Sequence, residues 1–348
     1  MSKALVLSKA DSLEPIQEIS LRGESFHENV LSGLVFNKVD FSSVRFVDCK
    51  LIECVFVECS FAQVNARGTD FSHSTFRSCD LSSAIFADCC MQAVTFSNSS
   101  LRDTVFSNCQ VEDLQVVECQ APRVSLQGHK LPGANFLDTD LAGADFSHAD
   151  LSKAMFYELD LREAQFHGAI FKDAAFSDCD LSGQDFSGQD MSGAQFNEAV
   201  LAGVDFSRCK LPMCNFSDSE ISKTKFLGAE AANCLFVSAA VEDCEFLGAT
   251  LTQALWNSAK VYRTDFSGAR MDMGVFNKAY FENCSFVGAS LEYADFSYSV
   301  LEKCNLGDVA LKDTRFHRAV TDTPSIKTRA GAIEKDDELF EAELWSAS

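Results

Sequence analysis

Cysteine and histidine are the side chains of this 348-residue chain that most invite a chemical interpretation. The 15 cysteines and 6 histidines would be enough for a metal site or a redox relay. Fourteen of the cysteines, for example Cys49, Cys54 and Cys59, are separated by five residues or by a multiple of five. Zinc ligands instead come in pairs separated by about two to four residues. We therefore interpret the fourteen as small buried side chains that are interchangeable with alanine.

Cys90 falls outside this series, at a position that is expected to face outward, and it is the one candidate for a reactive surface thiol. The six histidines form no pair at a ligand or catalytic spacing, and only His129 is expected to point inward. The sequence also lacks a GxSxG motif, a phosphate loop and a dinucleotide glycine pattern. We expect no catalytic residue, no metal, no cofactor and therefore no enzyme.

The spacing of the cysteines is part of a period of five residues that extends from Leu21 to Phe316. Of the 60 central positions of these pentads, 30 are Phe and 18 are Leu, without insertion or deletion. The position two residues before each centre is small in most pentads. A period of five fits neither a helix nor a plain strand, so it requires a repeating turn that directs one large and one small side chain inward.

Glycine and proline indicate which turn the repeat uses. Fifteen of the 18 glycines lie two residues after a centre, and Pro122, Pro132 and Pro212 lie one residue after a centre. This placement is typical of a type II turn, whose third residue needs a positive φ. Pentads without that glycine, such as residues 56–59, could use a different turn.

These pentads resemble those of pentapeptide-repeat proteins, whose pattern is a small residue, Asp or Asn, Leu or Phe, then two polar residues. Residues 144–148 (ADFSH) and 294–298 (ADFSY) match that pattern, and the resemblance covers residues 21–320. It implies an all-β fold, a right-handed quadrilateral parallel β-helix in which four pentads make one coil. Residues 21–320 would then form about 15 coils, with neighbouring coils about 4.8 Å apart.

The repeat predicts three segments. Residues 1–20 would cap the β-helix or continue its edge, and residues 321–348 would form a C-terminal cap or dimerisation tail that is partly helical. Within the repeat, residues 111–130 have Val and Ala at three centres and His129 at a small position. We expect a kink or an irregular coil there, although a mere drift of one coil would leave the same pattern.

The composition limits the partners. A net charge of −22 opposes direct binding to nucleic acid or to an anionic membrane and favours a protein partner with a basic surface. No segment has the length and hydrophobicity of a transmembrane span or signal peptide, which predicts a soluble cytoplasmic protein. The acidic excess is largest in residues 121–220, with 16 acidic and 7 basic side chains.

Three groups of outward-facing residues are candidate binding sites. Because one coil has 20 residues, aspartates 20 apart would stack in columns; they are Asp140, Asp160 and Asp180, with Asp145, Asp185 and Asp205 along a second column. Exposed tyrosines near the C-terminal end are candidates for a protein interface; they are Tyr262, Tyr280, Tyr293 and Tyr298. Apolar residues of the tail would serve a cap or a dimer; they are Ile333, Phe340, Leu344 and Trp345.

Two functions compete. The first is a non-catalytic scaffold or adaptor that presents a long rigid acidic surface to protein partners, with a secretion or effector apparatus as one candidate setting. The alternative follows from the resemblance to quinolone-resistance pentapeptide proteins, which implies a DNA mimic that binds DNA gyrase or topoisomerase. The absence of inserted loops between Leu21 and Phe316 speaks against that alternative. A homodimer through the C-terminal end would be compatible with both.

Overall fold

The computed structural model describes residues 2–10 and 12–346. The chain forms two compact units, Met1–Ala175 and Phe176–Ser348. Each unit is a right-handed parallel β-solenoid with four faces, and the two contain about 16 turns between them. The predicted fold class is therefore confirmed.

Unit 1 begins with a helix, α1 (Ser2–Ala10), and continues with short strands. Its strands are β1 (Ile16–Gln17), β2 (Ser25–His27), β3 (Val35–Asn37), β4 (Arg45–Val47), β5 (Val55–Val57), β6 (Asn65–Arg67), β7 (Thr75–Arg77), β8 (Ile85–Ala87), β9 (Thr95–Ser97), β10 (Val105–Ser107), β11 (Gln115–Val117), β12 (Asn135–Leu137) and β13 (Met155–Tyr157). Strand β14 (Ala175–Ser177) contains the last residue of this unit and the first two of the next.

Unit 2 has one long sheet face and a compact C-terminal segment. Its strands are β15 (Glu220–Ser222), β16 (Ala240–Glu242), β17 (Lys260–Tyr262), β18 (Tyr280–Glu282), β19 (Val300–Glu302), β20 (Thr314–Arg315), β21 (Val320–Thr321) and β22 (Ala332–Ile333). A 3-10 helix (Pro324–Thr328) and the helix α2 (Asp337–Ser346) complete the unit.

A ladder of parallel backbone hydrogen bonds fixes the register at 20 residues. In unit 1, Phe36 of β3 pairs with Phe56 of β5, and in unit 2 Val261 of β17 pairs with Phe281 of β18. Central residues of most turns donate their N–H to the carbonyl that lies 19 residues later, as Leu21 does to Asp40 at 2.8 Å. Residues 20 apart therefore lie one above the other on the same face.

The turn between faces needs a left-handed residue whether or not that residue is glycine. Gly133 has a φ of 69°, and Glu58 and Gln63, at the equivalent positions of pentads without glycine, have φ of 51° and 59°. The pentads differ instead in the hydrogen bond across the turn, which Val64 N–H donates to the Phe61 carbonyl at 3.0 Å. Such a bond is absent at Phe56 and Cys59, so the two kinds of turn differ in closure rather than in the sign of φ.

The core is a stack of the predicted large side chains. Every centre from Leu21 to Leu306 is buried, and phenylalanines of successive turns lie face to face. In unit 2, the Phe216 ring is 5.0 Å from Phe196 and 4.9 Å from Phe236, with near-parallel planes. Rings of adjacent faces meet edge to face, an arrangement that aromatic quadrupoles favour. The fourteen periodic cysteines and His129 are also buried, as predicted.

Each unit has a helical segment packed against one end of its solenoid. In unit 1, Val6 of α1 is fully buried, and Lys3 of the same helix donates to the Ser25 carbonyl and lies over the Phe26 ring. In unit 2, Ile326 of the 3-10 helix is buried, and β22 pairs with β20. These segments protect strand edges that would otherwise pair with other chains.

The Phe stack predicts a graded response to shortening one centre. Phe216→Ala should destabilise unit 2 by about 3–5 kcal/mol, because it removes a ring that contacts neighbours above, below and beside it. Phe216→Leu should cost only about 1–2 kcal/mol, because Leu retains most of the buried area. Urea titration followed by circular dichroism measures both changes, and equal effects of the two variants would contradict this account.

Candidate functional site

The aspartates of the predicted columns have a structural role in their own turns. Asp140, Asp145 and Asp205 each accept, through Oδ1, the backbone N–H of the residue two positions later, at 2.8–3.0 Å. This Asx-type bond stabilises the tight turn. It uses one carboxylate oxygen for the fold and leaves the other available to a partner.

The same bonds keep the carboxylates ionised. The backbone N–H of Ser187 holds the pKa of Asp185 below its usual value, and the Ser187 hydroxyl acts in the same direction. The pKa of Asp160 is lowered chiefly by Arg162, whose guanidinium bonds both carboxylate oxygens. Asp160 is therefore neutralised locally, which weakens the predicted column at that point.

The units divide the predicted columns between them. Unit 1 contains Asp140 and Asp160, which line one shallow groove, and Asp145, which bridges to Gln165. Unit 2 contains Asp180, and it contains Asp185 and Asp205, which face each other as bridge partners. Lys225 follows Asp205 in the same column, so in unit 2 that acidic column ends at a basic residue.

A more continuous acidic row was missed by the sequence reasoning. At the left-handed turn position, consecutive coils carry acidic residues; they are Glu118, Asp138 and Glu158 in unit 1 and Asp178, Glu198 and Asp218 in unit 2. All six are exposed. We call the two sets the unit 1 acidic row and the unit 2 acidic row. The sequence could have revealed these rows, because their members are 20 residues apart. They lie two positions after the pentad centre, whereas the predicted columns lie one position before it.

The backbone ladder sets the geometry of both rows. Glu118 N–H donates to the Leu137 carbonyl at 2.9 Å, which places Glu118 one turn from Asp138, and Glu198 N–H donates to Ser217 at 3.0 Å in the same way. Carboxylates in each row therefore repeat about every 4.8 Å along the solenoid. Within residues 2–10 and 12–346, none of the salt bridges involves a member of either row.

The structure brings together two of the four tyrosines. The Tyr262 and Tyr280 rings of β17 and β18 lie 5.7 Å apart on one face of unit 2. Hydrogen bonds from the Tyr280 hydroxyl to Glu302 and Glu282 raise the pKa of Tyr280 and fix its ring. The pair is half-buried and surrounded by carboxylates, so it offers a limited aromatic contact area.

The other two tyrosines have partners within the unit. The exposed Tyr293 lies under the ammonium group of Lys312, which is 5.0 Å from the ring centroid. The Tyr298 hydroxyl donates to Glu343 of α2, and the Tyr298 ring packs edge-on against His317 at 5.7 Å. Tyr298 thus holds the C-terminal helix in place and is not part of a common patch with Tyr262 and Tyr280.

Glu343 is the centre of the contact between α2 and the last turn. Arg318 donates to both of its carboxylate oxygens at 2.5–2.7 Å, and His317 Nε2 lies 3.3 Å from Oε1. Hydrogen bonds from Arg318, Tyr298 and His317 together lower the pKa of Glu343 to about 2. This cluster anchors the helix through charge, because no residue of α2 is buried.

The predicted tail residues occupy different environments. Ile333 belongs to β22 and pairs with Arg315 of β20, so it lies outside the helix. It begins at Asp337 because Asp336 Oδ1 accepts the Leu339 N–H, as an N-cap does. Lys335 Nζ lies 3.9 Å from the Phe340 ring centroid, whereas Leu344 and Trp345 are 58% and 85% exposed. The helical tail is confirmed, and its role in a dimer stays a prediction.

Cys90 is half-buried rather than fully exposed. Its Sγ lies 2.9 Å from the Ser72 hydroxyl and 3.6 Å from the Gln110 Oε1. Its reactivity stays a prediction.

Across the described ranges 2–10 and 12–346, no group of three or more His, Cys, Asp or Glu side chains is arranged to hold a metal ion. No helix in these ranges has the length and hydrophobicity needed to cross a bilayer.

Family models match much of the repeat. The model of pentapeptide repeats, described as eight copies, matches residues 45–82, 123–156, 145–183, 185–218, 199–236 and 275–308. A second model, described as a pentapeptide repeat region, matches residues 67–136. Among curated proteins, none matches this sequence.

Several solved structures are similar to this chain at low identity. One is HetL, a pentapeptide repeat protein involved in heterocyst differentiation regulation from the cyanobacterium Nostoc sp. strain PCC 7120. HetL is 19% identical to this chain, and the match covers 86% of this chain and 89% of HetL with a TM-score of 0.14. Full-length QnrB1, a plasmid-mediated fluoroquinolone resistance protein, is 13% identical over 90% and 97% of the two chains, with a TM-score of 0.19. A pentapeptide repeat protein from the Arabidopsis thaliana thylakoid lumen is 22% identical over 43% and 84%, with a TM-score of 0.14.

The Glu343 cluster predicts an acid-dependent release of α2. Because the pKa of this carboxyl falls from 4.5 to about 2 on docking, docking is fully stabilised above a pH of about 4.5 and weakens as the pH falls towards 2. Hydrogen exchange of residues 337–346 in the full chain should therefore accelerate over that range. Glu343→Gln should exchange fast already at pH 7, whereas Glu341→Gln, on the same helix, should behave as wild type. Equal protection in both variants at pH 7 would refute the anchoring role.

Proposed function

This chain belongs to the pentapeptide repeat family, and we propose that it is a non-catalytic scaffold that binds a basic protein partner through its acidic rows. The observation that carries the proposal is the alignment of Glu118, Asp138 and Glu158 on one face of unit 1, repeated by three acidic residues in unit 2. Like charges so close together destabilise the isolated protein unless solvent or a partner screens them.

The rows are suited to binding because their backbone is already ordered. Each acidic residue lies in a left-handed turn, with φ between 43° and 61°. Ladder bonds such as those of the Glu118 and Glu198 N–H groups hold these turns in place. A partner therefore orders only the carboxylate side chains, which keeps the entropic cost of binding low. Complementary charge would also accelerate association and make it sensitive to salt.

The partner's identity is left to experiment, and a secretion or effector component is one candidate class. A cytoplasmic location is part of the proposal because all 15 cysteines are free thiols, which are typical of reducing compartments. A homodimer through α2 is also part of it, supported by the exposure of Leu344.

The rows predict a specific loss of binding. The full-length triple variant Glu118→Gln, Asp138→Asn, Glu158→Gln should recover at least tenfold less partner in pull-downs from native lysate, because it removes three aligned charges from the interface. Rising wash salt should release the partner from the wild-type protein in the same way. The bound proteins are identified by mass spectrometry.

The matched control changes the same charge at exposed turn positions outside the row. It is Glu28→Gln, Asp48→Asn, Asp113→Asn, and each of these residues also has a positive φ. The control should retain the partner. If both triple variants lose it equally, net charge rather than the row is responsible, and the proposed site is wrong.

A second candidate is a mimic of nucleic acid that binds DNA gyrase or topoisomerase. The regular spacing of carboxylates at about 4.8 Å favours it, since a DNA strand also presents negative charges in a regular row, about 3.4 Å apart along the helix axis. The wild-type protein should then inhibit gyrase supercoiling in a gel assay, and the row variant should inhibit at least tenfold less than the control variant. No inhibition by wild type would exclude the mimic and leave the scaffold proposal to the pull-down.

A further inference from the structure

The hydrogen-bond ladder of unit 1 opens on one face between two consecutive turns. In other turns the equivalents of Asn108, Val111 and Asp113 donate their N–H to the next turn, as Asp88 does to Ser107 and Met91 to Gln110. Among the described residues, none of these three donates to residues 127–132. The ladder is intact on other faces of the same turns, where β11 pairs with β12 and Leu101 N–H donates to Gln120.

His129 lies at the opening. Its side chain occupies an inward position that is small in most pentads, and the Cys109 N–H donates to its Nε2 at 3.2 Å. The turn type also changes here, since residues 126–129 close with a hydrogen bond that residues 106–109 lack. The bulky imidazole at a small position and this change of turn therefore coincide at the opening.

The opening is a groove of about 330 Å³ that reaches the buried thiol. Cys109 and Gln110 line one side, and Gln127, His129 and Lys130 line the other. His129 is 5% exposed, and its Nδ1 is buried without a hydrogen-bond partner. An unpaired ring nitrogen beside a cavity is an uncommon feature that needs an explanation.

Cys109 has a second thiol directly beneath it. Cys89 lies one turn away, where the ladder is intact because Gln110 N–H donates to the Cys89 carbonyl at 2.9 Å. The Cys89 thiol hydrogen-bonds the Cys109 sulfur and lowers the pKa of Cys109 to about 5; burial opposes this, and His129 adds to it. The same contact raises the pKa of Cys89. Cys109 is therefore the nucleophilic partner of the pair.

We propose that Cys109 and Cys89 form a redox-active dithiol site that small hydroperoxides reach through the groove beside His129. The site is independent of the acidic rows and of the scaffold proposal. Cα atoms on adjacent turns lie about 4.8 Å apart, which is within the range that a disulfide bridges. Oxidation can thus proceed without moving the turns.

The reaction has two steps. The Cys109 thiolate attacks the terminal peroxide oxygen, the O–O bond breaks, and the leaving oxygen takes a proton from solvent; a sulfenic acid and water or an alcohol result. The Cys89 sulfur then attacks the Cys109 sulfur, the S–O bond breaks, and water leaves with the Cys89 proton. Two electrons pass from the two thiols to one peroxide, and the product is a Cys89–Cys109 disulfide.

The chain contains an internal control for this chemistry. Cys59 and Cys79 are stacked one turn apart and hydrogen-bond each other in the same way. They are 2–3% exposed, and the ladder bonds of Asp80 and Phe61 close their face of the solenoid. The two pairs therefore differ in the groove and in His129 rather than in the geometry of the thiols.

The test exposes folded full-length protein to equimolar hydrogen peroxide, alkylates the remaining thiols and maps peptides without reduction. A Cys89–Cys109 disulfide should form at least tenfold faster than a Cys59–Cys79 disulfide, because the pKa of Cys109 and that of Cys59 are both lowered but, of these two pairs, only Cys109 lines a groove. Cys89→Ser should trap a sulfenic acid on Cys109 that dimedone labels, whereas Cys79→Ser, which leaves the low-pKa thiol of the other pair, should give no labelled Cys59. His129→Ala should slow Cys109 labelling by about tenfold.

Three outcomes would overturn the proposal: equal rates for the two pairs, a first disulfide that involves Cys90 or another thiol, or absence of dimedone label on Cys109 in Cys89→Ser. The comparison of the two pairs is made within the wild-type protein. It therefore decides the question even where a variant fails to fold.

Discussion

Every feature of this protein depends on the fixed 20-residue register of its backbone ladder. Within each unit, backbone hydrogen bonds join successive turns, so a residue's position in the pentad determines whether it is inside or outside. The large centres then stack on one another, as Phe196, Phe216 and Phe236 do at about 5 Å. The register brings like residues together whether or not contact between them is favourable, and this accounts for the aromatic stacks, the paired thiols and the rows of carboxylates.

The aromatic stacks and the acidic rows have opposite energetic consequences. Stacked rings bury apolar area and make favourable quadrupole contacts, which stabilises the folded state. This stabilisation offsets unfavourable features elsewhere. Residues such as Glu58 hold a left-handed backbone that costs about 1–2 kcal/mol per non-glycine residue. The acidic rows add repulsion at these same turn positions. A core of this kind can carry surface residues that are selected for something other than stability.

The sequence was sufficient for everything that depends on the period. It predicted the buried centres, the buried cysteines and the inward orientation of His129, because each of these follows from position within the pentad. It was insufficient where side chains contact residues outside their own column. The Tyr298 contact with Glu343 joins the repeat to a helix that has no period, and Ile333 entered a strand because Arg315 offered an edge. The opening beside His129 depends on how one imidazole fits between two turns, which a pattern does not describe.

The uninterrupted frame from Leu21 to Phe316 also limits how such a chain can evolve. Inserting one residue in a turn would rotate every later side chain by one position, so that buried phenylalanines would face water and turn residues would face the core. Gain or loss of five residues would restore the pentad yet shift the faces by a quarter of a turn, and would move each acidic row onto another side. Only changes of twenty residues keep both core and surface in place. The gene of such a protein is therefore expected to lengthen and shorten by whole turns, while its surface diversifies freely by substitution.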